Sequence, residues 1–132
     1  MKNFRKLLAL SFCLVVLTAF FSCSKDDDNN NGNGPYDVEF KVTTTGNAPI
    51  STIIYTNATG DQTALSSVGG ASWSSKVTVQ AGVPAIAIIA TGYSETGGTI
   101  KVEILVNGKV VKENTGSGTA LSASTTYIPG QN

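Results

Sequence analysis

Beyond residue 35, apolar side chains alternate with polar ones along the chain. In "YDVEFKVTT", Val38, Phe40 and Val42 lie on one side of an extended backbone and charged residues lie on the other. This period of two predicts a strand that is buried on one face. Further segments of this kind are "TIIYTN", "WSSKVTVQ", "AIAIIAT", "TIKVEILV", "KVVKEN" and "TALSASTTYIP". About seven short strands without helical periodicity predict an all-β fold, an immunoglobulin-like antiparallel β-sandwich, with an up-and-down barrel as the alternative.

The clearest local signal is the dipeptide Asn107-Gly108 between two of these strands. It predicts a two-residue type I′ turn, in which both central residues need positive φ. The expected register pairs Val106 with Lys109, Leu105 with Val110, Ile104 with Val111 and Glu103 with Lys112. Leu105 and Val110 would then lie together on the solvent-exposed face of the hairpin. We predict that they form a candidate patch for contact with a partner.

The N-terminus carries three cationic residues before an apolar run from Leu7 to Phe21. Since a helix needs about 20 apolar residues to span a bilayer, this shorter run is typical of a secretory signal peptide, predicted over residues 1–22. Cys23 at the cleavage site is the mark of a bacterial lipoprotein, with acyl chains on its sulfur and amine. Two or three chains would hold the protein at the membrane. An uncleaved signal anchor is the alternative.

Residues 23–35 form the second predicted unit, a lipidated cysteine followed by a linker. The stretch contains no large apolar residue, so it cannot offset the entropy of ordering, and we predict a disordered tether. Its start resembles the export signal that sends lipoproteins of Bacteroidetes-type bacteria to the outer face of the outer membrane. The residues of this predicted sorting signal are Ser24, Lys25, Asp26, Asp27 and Asp28. A plain acidic spacer on the periplasmic leaflet is the alternative.

Residues 36–132 form the third unit, the predicted sandwich domain. Loss of residues 1–22 leaves six cations against nine acids, a net charge of −3, and the domain itself has five lysines and six acids. Without a basic patch, a nucleic-acid partner is not expected. The partners that remain are the membrane, through the N-terminal lipid, and a transporter or other protein of the cell envelope.

The residue inventory also limits the chemistry. The chain has no histidine, and Cys13 would leave with the signal peptide, so only the lipidated Cys23 remains. We therefore predict no Cys/His metal site, no cofactor, no catalytic residues and no enzymatic activity. Asp37 and Glu39 are interpreted as solvated acids of a strand face. Asn57 fits a glycosylation acceptor pattern, although a turn asparagine is the simpler interpretation, and Trp73 is predicted to lie in the core.

The order of several short segments along the chain is similar to that in a known family. The chain resembles the MmpS family of small membrane-anchored partner proteins, first known from mycobacteria, over residues 38 to about 128. The residues that match in order are Tyr55, Thr56, Asn57, Gly60, Trp73, Gly108, Lys109, Val110 and Val111. The resemblance implies a sandwich outside the cytoplasmic membrane that assists an RND-type transporter in exporting lipids or siderophores. The chain departs from the family in its lipid anchor and in Val102, which stands where many members have a cysteine.

We therefore expect an outer-membrane lipoprotein with a non-catalytic β-sandwich that acts as a binding or accessory module in envelope assembly or transport. The alternative is a surface adhesion or carbohydrate-binding module. That alternative needs an exposed aromatic platform, which Tyr36, Tyr93 and Tyr127 could supply.

Protease treatment of intact cells tests the side of the membrane on which the domain lies. A surface-displayed domain should be degraded while a periplasmic control protein stays intact. Protection of the domain would contradict surface display and favour the periplasmic leaflet.

Overall fold

A computed structural model describes residues 34–131. The predicted signal peptide, Cys23 and the sorting signal lie outside the described residues. The strands of the described part are β1 (Tyr36–Thr45), β2 (Ile50–Thr56), β3 (Gln62–Ser66), β4 (Ser72–Val79), β5 (Ile86–Val106) and β6 (Lys109–Tyr127). Within residues 34–131, no helix is long and apolar enough to cross a membrane.

The strands form an antiparallel sandwich in which β5 and β6 each contribute to both layers. Layer A consists of β4, β1, the second half of β5 (98–106) and the first half of β6 (109–118). Layer B consists of β3, β2, the first half of β5 (86–93) and the second half of β6 (120–127). The predicted all-β antiparallel sandwich is thereby confirmed.

Alternating side chains from both layers fill one core between them. Phe40 and Ile104 of layer A and Ile53 and Ile88 of layer B are fully buried. Rings bridge the layers, since the centroid of Tyr55 lies 5.3 Å from that of Phe40 and 5.3 Å from that of Trp73. Such tilted aromatic pairs add about 0.5–1.5 kcal/mol each beyond their buried area. Trp73, predicted to be a core residue, is partly buried and packs against the core from the edge strand β4.

The two layers are joined at a corner where β5 and β6 bend without ending. Pairing between these strands jumps from Tyr93–Ala120 to Gly98–Gly118, so four residues of β5 bulge opposite a single residue of β6. A Cβ atom on Gly98 would overlap the carbonyl oxygen of Thr45. On β6, a Cβ atom on Gly116 would overlap the carbonyl oxygen of Ser122 in the same way. Only glycine allows these backbones to approach so closely.

The corner also explains why the strand count is six and not about seven. The segment "SETGG", expected to end a strand, instead makes the bend within β5, and "KVVKEN" and "TALSASTTYIP" belong to one strand, β6. The short strand β3 was not predicted from the pattern. Its alternation is weak because it is an edge strand with only partial burial on its inner side.

The hairpin turn has the predicted conformation, but the register beyond it differs. Asn107 and Gly108 have φ values of 51° and 82°, and Leu105 pairs with Val110 as expected. The predicted pairs Ile104–Val111 and Glu103–Lys112 are wrong. A β-bulge places one extra residue in β6, so that Ile104 pairs with Lys112 and Glu103 with Glu113.

This shift places Glu103 opposite Glu113 on the outer face of layer A. Lys101 lies close to both glutamates and offsets the repulsion between them. The ammonium of Lys101 lies 3.3 Å from a carboxylate oxygen of Glu103 and 3.4 Å from one of Glu113. The hydrogen bond to Glu103, followed by the charges of both glutamates, raises the pKa of Lys101 above its ordinary value. The lysine therefore stays charged and relieves the repulsion between two directly opposed acids.

Asn57 makes the β2–β3 connection into a defined turn. Its side-chain oxygen accepts hydrogen bonds from the backbone N–H groups of Thr59 and Asp61, both at 3.1 Å. Gly60 has a φ of 91°, and a Cβ atom there would lie 2.9 Å from Val83. These contacts favour the interpretation of Asn57 as a turn asparagine.

The close approach at the corner predicts a difference between a glycine of the corner and a glycine with open space around it. Gly98→Ala should lower the free energy of unfolding by up to about 3 kcal/mol, because the backbone atoms it meets cannot move aside easily. Gly69→Ala adds a methyl group into open space and should cost only about 1 kcal/mol, because its φ of 75° is a left-handed conformation that alanine adopts at modest cost. Urea unfolding followed by the fluorescence of Trp73 measures both. Equal losses would contradict the close approach at Gly98.

Candidate functional site

A cleft lies at the end of the sandwich where the first strand begins and the last strand ends. The N–H of Asn107, in the hairpin turn, donates to the carbonyl oxygen of Asp37 at 2.8 Å, which holds the hairpin tip beside the start of β1. The cleft between this tip and the C-terminal end of β6 has a volume of about 690 Å³. Its lining residues are Tyr36, Val106, Asn107, Lys109, Val110, Val111, Lys112, Tyr127 and Gln131.

The β-bulge places Val111 and Lys112 of β6 next to each other in the lining of the cleft. Residues directly opposite each other in an antiparallel pair point to the same face of the sheet. Lys112 is opposite Ile104, which is fully buried, so Lys112 occupies an inward-facing position that an apolar residue would normally fill. Lys112 nevertheless remains exposed. Its methylene groups can cover apolar surface while the ammonium stays in water, which leaves this edge of the sandwich open.

The lining of the cleft is about equally polar and apolar, and its charged groups among the described residues are all cationic. Val106 is buried, while Val111 and Tyr127 are partly buried and pack against the core. Within the described part of the chain, Lys109 and Lys112 are the charged side chains that line the cleft, and no carboxylate does. Two cations beside low-dielectric walls attract an anion more strongly than they would on an open surface.

Tyr36 contributes a buried polar group at the same place. The residue is 6% exposed, and its hydroxyl group has no hydrogen-bond partner among residues 34–131. An unsatisfied buried hydroxyl costs about 1–3 kcal/mol. Tyr36 is therefore the residue of the cleft that most clearly lacks a hydrogen-bond partner among the described residues.

The predicted contact patch is only half exposed. The structure brings Leu105 and Val110 together, but Leu105 is 8% exposed whereas Val110 is 44% exposed. Leu105 lies between Glu39 on β1 and Val110 on β6, and these neighbours cover it. Val110 lies on the rim of the cleft. The candidate site at this hairpin therefore extends toward the start of β1 and the end of β6, and not across the solvent-exposed face of layer A.

Sequence reasoning missed Tyr36, Tyr127 and Lys112 as members of one site. The two tyrosines occupy the ends of the first and last strands, which are far apart in the chain and lie in different layers. They meet because the two layers pack on one core. The expected register placed Val111 inward, where it does pack against the core, but it placed Lys112 on the outer face opposite Glu103, away from the cleft. The sequence shows only that Lys112 follows two valines, and this pattern does not by itself predict a β-bulge.

The other candidate residues lie elsewhere. Of the three tyrosines expected to form an aromatic platform, Tyr93 alone is well exposed, at 57%. Asp37 accepts a hydrogen bond from the hydroxyl of Thr78 at 3.3 Å, and Glu39 lies 4.0 Å from the ammonium of Lys41. Both acids thus have partners on the outer face of layer A. Among residues 34–131, no group of three or more histidine, cysteine, aspartate or glutamate residues could hold a metal ion.

Comparison with known proteins leaves the cleft as the main guide to function. The chain matches no model of a known protein family. A search of the curated proteins likewise finds no match.

Proposed function

We propose that this chain is an outer-membrane lipoprotein, anchored through Cys23, whose sandwich is a non-catalytic accessory module in envelope assembly or transport. Its cleft would bind an amphiphile with an anionic head and an apolar tail. The observation that carries this proposal is that, in one cleft, apolar side chains lie beside two lysines and, among residues 34–131, no carboxylate.

The chemistry of the cleft supports an amphiphile over a simple ion. Val106, Val111 and Tyr127 offer a surface for an acyl chain or another apolar body. Lys109 and Lys112 offer charge-assisted hydrogen bonds to a carboxylate or phosphate, which are about twice as strong as neutral ones. The volume falls within the range of pockets that enclose small molecules, roughly 300–1,000 Å³.

The position of the cleft relative to the linker supports a role at the membrane. Residues 34 and 35 enter the domain directly before Tyr36, which lines the cleft. A flexible linker of residues 24–35 would span roughly 20 Å, so the cleft would stay close to the lipid surface. An amphiphile could then pass between membrane and cleft without travelling far through water.

The partner depends on the side of the membrane. On the periplasmic leaflet, the resemblance to the MmpS family supports an RND-type transporter as the protein that delivers or receives the amphiphile. On the cell surface, the partner would be another protein of the envelope.

Cells fed a fatty acid that carries a photoactivatable diazirine group test the cleft on the full, lipidated chain. After illumination, cross-linked peptides should include Tyr36, Val111 or Tyr127. Lys109→Gln combined with Lys112→Gln should lower this yield several-fold, because each charge contact of an exposed lysine contributes roughly 0.2–1 kcal/mol to binding. Lys76→Gln, on the outer face of β4, is the matched control. Equal yields from both variants would contradict the assignment of the cleft.

Lipid attachment is tested separately. The wild-type chain should incorporate an alkyne-tagged fatty acid and sediment with the outer membrane, whereas Cys23→Ser should incorporate none because it lacks the acceptor sulfur. Labelling of the Cys23→Ser variant would place the lipid elsewhere and overturn the anchor.

A further inference from the structure

The two outer faces of the sandwich differ completely in charge. The four segments that form layer B, 50–56, 62–66, 86–93 and 120–127, contain no aspartate, glutamate, lysine or arginine. The charged residues that lie in described strand pairings belong instead to layer A, with Lys41, Lys101 and Glu103 as examples. Exposed sheet faces and edges usually carry charges that keep proteins soluble and discourage pairing with other chains. The outer face of layer B therefore needs an explanation.

A row of hydroxyl groups crosses this neutral face on all four strands. Thr52 pairs with Ser66 on one side and with Thr91 on the other, and Thr91 pairs with Ser122. Because directly paired residues point to the same face, the four hydroxyl side chains form one line perpendicular to the strands. The adjacent row consists of Ala64, Ile54, Ile89 and Ser124.

Tyr93 stands at the end of this surface with its ring open to solvent. It is 57% exposed and lies two residues beyond Thr91 on β5, about 7 Å along the strand. Its cross-strand partner is Ala120, which is too small to cover the ring. The face thus offers an aromatic ring beside a line of neutral donors and acceptors.

This combination fits a neutral polysaccharide. A hydroxyl side chain both donates and accepts hydrogen bonds, as sugar hydroxyls do. An aromatic ring with an apolar face and a polar tip suits the apolar face of a pyranose. Neighbouring strands lie about 4.8 Å apart, a spacing close to the advance of one sugar unit in an extended chain, so successive units can meet successive strands.

A second copy of the protein fits this face less well. A stable protein interface buries roughly 800 Å² on each partner and is anchored by a desolvated cluster of large side chains. Here the well-exposed large hydrophobic residues are Ile89 and Tyr93, set among serine, threonine and alanine. The hydroxyl groups would lose their hydration without a matching set of partners.

We propose that the outer face of layer B binds an extended neutral polysaccharide. Tyr93 stacks on one pyranose ring, and Thr52, Thr91 and Ser122 form hydrogen bonds with the units that cross the neighbouring strands. None of these residues lines the cleft, so this surface is independent of amphiphile binding.

Co-sedimentation of the full chain, in a non-ionic detergent, with microcrystalline cellulose, insoluble chitin and insoluble starch tests the proposal. We expect retention on at least one of these glycans, with the same affinity at low and high salt because no charge takes part. Tyr93→Ala should weaken retention at least tenfold, while Tyr93→Phe keeps the ring and should retain most of it. Thr91→Val combined with Ser122→Ala should weaken retention several-fold.

The matched control is Thr43→Val, an exposed threonine on the outer face of layer A. It should bind as the wild type does, and all variants should keep the thermal midpoint of the wild type. Absence of retention on all three glycans, strong salt dependence, or retention that Tyr93→Ala leaves unchanged would overturn the proposal. A dimer in sedimentation velocity that Tyr93→Ala dissociates would show that the face binds a second copy, and would overturn it as well.

Discussion

The close backbone approach at the corner of the long hairpin is the constraint on which the rest of the fold depends. Gly98 lies against Thr45, and Gly116 lies against Ser122, with no room for a side chain at either glycine. Because β5 and β6 bend there and continue, one hairpin supplies a central strand and an edge strand to each layer. The remaining strands add to the halves of β5, and the rings of Phe40, Tyr55 and Trp73 close the core.

The corner lies midway along the long hairpin, and the cleft lies between the tip of that hairpin and its open end. At the corner, glycines bring the layers together, whereas at the tip the bulge in β6 puts a lysine where a core residue would close the gap. Val111 in this bulge packs against the core, while Lys112 beside it stays exposed at the cleft. The proposed amphiphile site is therefore built from a local irregularity in the strand pairing and not from an added loop or domain.

The outer faces show two ways of presenting a sheet to water. Layer A carries charges that pair with one another, as Lys101 does with Glu103 and Glu113, so its face is well solvated. Layer B carries hydroxyl groups and one exposed ring, with no charge to attract or repel an ionic partner. A surface of this kind selects a ligand by shape and hydrogen bonding, and the charged layer opposite it preserves solubility.

The sequence by itself determined the strand class, the one-sided burial of β1 and the turn at Asn107-Gly108, because alternation and positive φ are local properties. It did not determine the bulge beyond that turn, the continuity of β5 through "SETGG", or the burial of Leu105. Those depend on which backbone atoms meet across the sheet, and the chain brings such partners together from distant positions. The meeting of Tyr36, Lys112 and Tyr127 in one cleft is likewise a result of tertiary packing, since Tyr36 belongs to layer A and Tyr127 to layer B.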